Sequence, residues 1–239
     1  MLLPFIANHC LALLRGETFP TQLQQFWAYA RNPDRAGAEE SAVAPYSKLM
    51  SDSQTLVRRD ILDAIDLADV IKLVDIGGGE GAFATEVAQR WPQLSVGVFD
   101  LPAVAARAQA RFQAEGLGAR GQGYGGDFYS GALPEGADLY TLVRVLHDHD
   151  DDKAKALLAK IYAAVPKNGR LIIAEPMAAT PGAEAMGDAY FGLYLFAMGS
   201  GRPRPAEEIE AMLRQAGFTS TKRIGTPRPL LVRVIEARK

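Results

Sequence analysis

A chain of 239 residues, 48% of them hydrophobic, is long enough for one sizeable core with at most a small accessory segment. Its 26 basic and 28 acidic residues are spread along the whole length and leave a net charge of −2, which excludes the electrostatic footprint of a nucleic-acid-binding protein. The single cysteine, Cys10, forms no internal disulfide and fits a reducing compartment, so a cytoplasmic location is expected. Residues 1–14 are mostly apolar, yet they lack a basic leading region and are broken by Asn8 and His9, so they do not read as a signal peptide. No later stretch approaches the roughly 18 uncharged apolar residues of a membrane-spanning helix, which leaves room only for a peripheral contact at the inner-membrane surface.

The first third reads as helical, over residues 2–15, 21–31 and 51–68, with Ser51 and Asp52 as N-caps for the last of these. Near Asp69 the pattern changes to short apolar runs alternating with longer amphipathic ones, as strands and crossover helices of a parallel sheet do. Two units are therefore expected: a helical segment over residues 1–69 and an α/β domain over 70–239. Strands are expected at 72–76, 94–99, 121–124 (a weak one), 137–143 and 170–174. Helices over 186–198 and 206–215 follow, then two closing strands at 219–223 and 230–237. Only Thr226-Pro227-Arg228-Pro229 links the last pair, too little for a crossover helix, so the final strand must run antiparallel to its predecessor. A dinucleotide-binding Rossmann sheet is all parallel, whereas a seven-stranded Rossmann-like sheet with a reversed last hairpin is the class I methyltransferase variant.

The chemistry concentrates at predicted strand ends. Val74-Asp75-Ile76-Gly77-Gly78-Gly79-Glu80-Gly81 joins a strand to a helix, and its glycines let the backbone approach a ligand where a Cβ would clash. Gly77, Gly79 and Ala82 also satisfy the loose G-x-G-x-x-A fingerprint, so glycine spacing alone does not separate NAD from S-adenosylmethionine. The flanking carboxylates do separate them. Asp75 would oppose a pyrophosphate but suits an ammonium and a sulfonium. Asp100 ends the next strand and can accept from ribose hydroxyls, and Asp127 follows the third strand with Phe128 available to pack on an adenine. As an ordered set these favour a cationic cofactor, although Asp127 alone reads equally well as a turn residue.

The second constellation is Arg144-Val145-Leu146-His147-Asp148-His149-Asp150, past the fourth strand on the same carboxyl edge of the sheet. Transfer of a methyl from a sulfonium needs a nucleophile in line, and a hydroxyl becomes a better one when a base takes its proton; histidine suits that task near neutral pH. His147 is the candidate base, while residues 150–152 read as the cap and first-turn acids of a helix over 153–164. Adjacent residues of one loop do not converge on a single ion, so no metal is expected from His147, Asp148 and His149.

Asp75-Ile76-Gly77-Gly78-Gly79, Phe99-Asp100-Leu101-Pro102, Gly126-Asp127-Phe128, Leu146-His147-Asp148 and Ala216-Gly217-Phe218 resemble the ordered motifs of the S-adenosylmethionine-dependent small-molecule O-methyltransferases of the caffeate and acetylserotonin type. The stretches 143–150, 186–194 and 199–204, with Leu13-Leu14-Arg15-Gly16-Glu17 and Phe26-Trp27, are most similar to the carotenoid hydroxyl O-methyltransferases of purple photosynthetic bacteria, which act on hydroxyneurosporene and demethylspheroidene. The resemblance implies that His147 is the proton acceptor and that Asp100 is the ribose ligand. It implies further cofactor contacts at Gly77, Asp127, Phe128 and Arg144, with Leu101 and Gly126 in the same motifs. The implied substrate is an apolar hydroxylated molecule, a carotenoid, with Met177, Met186, Tyr190, Phe191, Tyr194, Phe196 and Met198 as tunnel walls.

Two departures stand out. Many relatives have His-Asp-Trp where this chain has His147-Asp148-His149, and the glutamate that orients the base in some relatives is Pro203 here, leaving Glu175 as a substitute. Relatives also carry a further amino-terminal helical and winged-helix region that exchanges contacts in a homodimer, so the chain reads as truncated. Two rival readings follow: a cofactor-binding but inactive fragment, and a nicotinamide-dependent oxidoreductase, which requires a parallel last strand.

Overall fold

The computed structural model describes residues 11–17, 21 and 54–239. The predicted helices over 2–15 and 21–31 fall mostly outside these, although residues 11–14 are helical and Thr21 Oγ1 donates to the Ala197 carbonyl at 2.6 Å. The caps Ser51 and Asp52 also lie outside. The third helix, α1, spans Thr55–Ala64 and ends where Ile65 turns extended. Its Val57, Ile61 and Leu62 are buried in one core with Leu73 and Val87, so this helix packs against the sheet. Asp60, which is 1% exposed, pairs with Arg228 at 2.6 Å and ties α1 to the link before the last strand.

Thereafter strands and helices alternate: β1 (Lys72–Ile76), α2 (Ala82–Arg90), β2 (Ser95–Asp100), α3 (Pro102–Ala114), β3 (Gly121–Gly125), β4 (Leu139–Val143), α4 (Asp151–Ala164) and β5 (Arg170–Glu175). A π-wound turn, Ala185–Tyr190, leads into α5 (Phe191–Met198), followed by α6 (Ala206–Ala216), β6 (Ser220–Ile224) and β7 (Arg233–Arg238). The helix expected over 186–198 is therefore two pieces. Its first turn widens where Gly187 rests against the Met177 carbonyl and Asp188 accepts from the Ala179 amide at 3.1 Å.

The strands form one seven-stranded sheet in the order β3-β2-β1-β4-β5-β7-β6, with β7 antiparallel to both neighbours. This is the reversed hairpin read from the sequence, and it sets the all-parallel oxidoreductase alternative aside. Strand β7 begins three residues later than expected because the Leu231 and Val232 amides donate back to the Arg228 carbonyl in a turn. The eight-residue link remains too short for a crossover. Alternation explains the layering: Val74, Ile76, Tyr140, Leu142, Leu171 and Ile173 face the core beneath α4 and α6, while Leu73, Leu139, Val143, Ile172 and Ala174 face the core beneath α1, α2 and α3. The edges are thin for different reasons. In β3, Gly121 and Gly123 admit Phe112 and the Ala105 carbonyl of α3, and in β6 the exposed Lys222 and Arg223 discourage further strand pairing. The parallel neighbours β1 and β4 mark the point where strand order switches sides, so their following loops diverge and leave a crevice at the carboxyl edge.

Candidate active site

A cavity of about 180 Å³ opens at that crevice. Seven of the predicted site residues line it: Asp75, Gly77, Gly79, Asp100, Phe128, Arg144 and His147. Leu101, Gly126 and Asp127 do not. They act behind the wall: the Leu101 amide donates to Asp100 Oδ1 at 2.8 Å, and the Gly126 amide donates to the Asp100 carbonyl at 2.9 Å. Asp127 Oδ1 accepts from the Tyr129 amide at 2.8 Å, which is the turn role that its residue type also suggested.

The glycine turn divides its labour. Gly77 has φ +70° and donates to the Phe99 carbonyl at 2.8 Å; a Cβ there would press on Val145 at 2.8 Å. Gly79 has φ +58° and open space where a Cβ would stand, and its amide donates to Asp100 Oδ2 at 2.8 Å. Both oxygens of Asp100 are thus engaged by main-chain donors, yet burial still pushes its pKa up to about 6. Asp75 accepts from Thr141 Oγ1 at 2.6 Å, and burial, with repulsion from Asp100, pushes it up to about 7. Two carboxyls raised in this way make a cavity wall that a cation would relieve.

On the opposite wall Arg144 occupies left-handed backbone at φ +56°, with its guanidinium 5.3 Å over the Phe191 ring and its Nε without a partner among the described residues. His147 sits in a 3₁₀ turn, Leu146–Asp148, and is 1% exposed. Burial and the nearby Arg144 guanidinium hold its pKa well below the usual imidazole range, so the ring is neutral at pH 7 and able to accept a proton. Nε2 lies 3.3 Å from Asp148 Oδ1. Glu175 is fully buried, its pKa pushed by burial up to about 7, and its Oε2 accepts from the His147 amide at 3.0 Å. It holds the main chain of the base-bearing turn and not the ring, which the sequence could not distinguish.

Sequence reading missed how the two walls connect. Tyr129 Oη and His149 Nδ1 lie 2.5 Å apart, and Lys160 Nζ donates to the carbonyls of Phe128 and Tyr129. The first bond ties the loop after β3 to the turn after β4 and the Lys160 bonds tie it to α4, a role that nothing in the spacing of Lys160 signals. Of the expected tunnel walls, Tyr194 reaches this cavity, and Phe191 lies 6.0 Å from the His147 ring. Tyr190 and Phe196 are exposed, at 60% and 43%. No group of three or more His, Cys, Asp or Glu side chains suited to a metal occurs among the described residues, and none of their helices is long and apolar enough to cross a membrane.

A family model described as an O-methyltransferase domain matches residues 24–219. The chain is 44% identical over 230 residues to a demethylspheroidene O-methyltransferase of Rhodobacter capsulatus, covering 96% of this chain and 56% of that one. It is 40% identical over 227 residues to its counterpart from Cereibacter sphaeroides, covering 95% and 59%. The chain therefore spans little more than half the length of these curated relatives. Among solved structures, human N-acetylserotonin methyltransferase in complex with S-adenosylmethionine superposes with a TM-score of 0.80 at 26% identity, covering 97% of this chain and 66% of that one.

Proposed function

This chain belongs to the S-adenosylmethionine-dependent O-methyltransferases, and from that premise we propose that it methylates a hydroxyl of a small apolar substrate, specifically the tertiary 1-hydroxyl of an acyclic carotenoid. One observation supports the reading above the rest: Asp75 and Gly79 at the end of β1, Asp100 at the end of β2, Phe128 after β3, and Arg144 and His147 after β4 meet on a single cavity. The residues fit the cofactor. Gly79 leaves room for close approach, the Asp100 carboxylate would accept from ribose hydroxyls, Phe128 would pack on the adenine, and the Asp75 and Asp100 carboxyls suit positive charge. When bound, the cofactor supplies an electrophilic methyl on a sulfonium.

Neutral His147 takes the hydroxyl proton, with Asp148 Oδ1 3.3 Å from its Nε2, and Glu175 keeps the turn in place. Such a base contributes ~10²- to 10⁴-fold, while positioning contributes ~7–11 kcal/mol, so orientation carries most of the rate. The proposal divides the chain into a helical segment up to residue 69, assigned to a homodimerisation region, and a methyltransferase domain over 70–239. A peripheral membrane contact would bring the enzyme to a membrane-dissolved carotenoid.

Titration calorimetry with S-adenosylmethionine and transfer of a labelled methyl to demethylspheroidene test this. Asp100→Ala is expected to abolish cofactor binding. His147→Ala is expected to keep the Kd within about threefold and to lose turnover by ~10²-fold or more. Binding without transfer by the unaltered chain would make it an inactive cofactor-binding fragment, and full turnover in His147→Ala would move the base elsewhere, first to His149.

A further inference from the structure

The turn that carries His147 is gripped along its whole main chain by residues 200–204. The Leu146 carbonyl accepts from Arg204 Nη1 at 3.1 Å and the His147 carbonyl from the Arg202 amide at 2.9 Å. The Asp148 carbonyl accepts from Ser200 Oγ at 2.9 Å and the His149 carbonyl from Arg204 Nη2 at 2.7 Å. Four consecutive carbonyls thus find donors in five residues. Beyond them, Asp150 Oδ1 accepts from the Gly201 amide, and Asp151 Oδ1 accepts from Arg204 Nε and Nη2. Gly201, at φ +77°, approaches so closely that a Cβ would collide with the His147 carbonyl oxygen.

Arg204 is the anchor. It is fully buried, and its planar fork spans the turn from Leu146 to Asp151, a geometry that a lysine's single ammonium cannot reproduce. Its own carbonyl accepts from the Ala178 amide at 3.1 Å, three residues beyond Glu175, which holds the His147 amide from the other side. The His147 peptide is therefore fixed at both its N–H and its C=O, while Nδ1 of the ring has no partner among the described residues.

We propose that residues 200–204 are a strap that positions His147 through its backbone, with Arg204 as the positioning residue. In this chain Pro203 stands where many relatives have a glutamate that orients the base, and main-chain grip does that work. The inference rests on the reading of His147 as the proton acceptor. The charged and titratable groups facing the ring are Arg144, Asp148, His149, Glu175 and Arg204.

The test compares Arg204→Lys, Arg204→Gln and the milder Ser200→Ala. It measures cofactor Kd, kcat, KM and the His147 ring resonances by nitrogen-detected NMR. Arg204→Lys should keep Kd and KM within about threefold and lower kcat by ~10- to 100-fold, the scale of a base displaced by about 1 Å. It should also broaden or split the His147 resonance without moving its titration, because the charge remains. Arg204→Gln should lower kcat similarly and move that titration to higher pH, because a neighbouring positive charge is gone. An unchanged ring resonance in Arg204→Lys overturns the strap, whatever turnover does. Should both Arg204 variants misfold, Ser200→Ala decides: kcat lowered at unchanged melting temperature supports the strap, and unchanged kcat overturns it. Full turnover in His147→Ala would sink the base assignment alone, since the NMR measurement does not depend on catalysis.

Discussion

At the scale of single residues, the cavity's chemistry depends on where protons sit. As the proposed ribose ligand, Asp100 accepts most strongly while it is ionised, and burial has pushed its pKa up to about 6. Affinity for S-adenosylmethionine should therefore weaken as pH falls through about 6. Asp100→Asn should flatten that dependence and weaken binding by ~10- to 100-fold at pH 8, the size of lost hydrogen bonds to a charged group. Calorimetry between pH 5 and pH 8 reads both effects, and a flat wild-type profile would show that Asp100 does not gate binding. The residue types Asp75, Asp100 and His147 were legible as candidates because each ends a strand or follows one. Their pKa values were not, because desolvation depends on what the rest of the chain stacks over them.

Among the elements, the turn from β1 to α2 is the most informative. Three glycines in a row announce a close approach of something, yet they do not say of what. Packing assigns the roles: the missing Cβ of Gly77 makes room for Val145, and that of Gly79 faces open space on the cavity. Gly77→Ala should cost about 1–3 kcal/mol of stability, from strain at positive φ together with overpacking. Gly79→Ala should lower the melting temperature less and weaken cofactor binding more. Thermal unfolding and calorimetry on the two variants separate these effects, and equal losses in both would refute the division. The same limit applies to the helix expected over 186–198. Its apolar character was visible, but its division into a π-wound turn and α5 follows from contacts with Met177 and Ala179 in the preceding loop, such as the Ala179–Asp188 bond across nine residues.

For the whole molecule, the site is a liability that a ligand can relieve. Asp75, Asp100, Asp148 and Glu175 have pKa values raised by burial to about 7, 6, 8 and 7. Between their ordinary values and these raised ones the folded chain binds more protons than the unfolded chain. Their contribution is thus present near pH 4 and is lost as pH rises through 6 to 8. His147 acts oppositely, since its folded pKa is depressed and its neutral ring is disfavoured as pH falls below the ordinary imidazole value. With four groups against one, the melting temperature of the ligand-free chain should fall between pH 5 and pH 8. Saturating S-adenosylmethionine should raise it more at pH 8, where Asp75 and Asp100 are charged. Scanning fluorimetry at the two pH values checks both, and a midpoint that rises with pH would contradict this account. From residue 70 onward, local pattern alone settled the order of strands and helices, the reversed last strand and the place of the glycine turn between β1 and α2, because alternation, glycine and link length are short-range properties. Only the tertiary structure decided which acids are buried, which glycine has open space on the cavity and that residues 200–204 grip the His147 turn. Those facts depend on segments tens of residues apart meeting at one edge of the sheet, and no spacing in the chain records such a meeting.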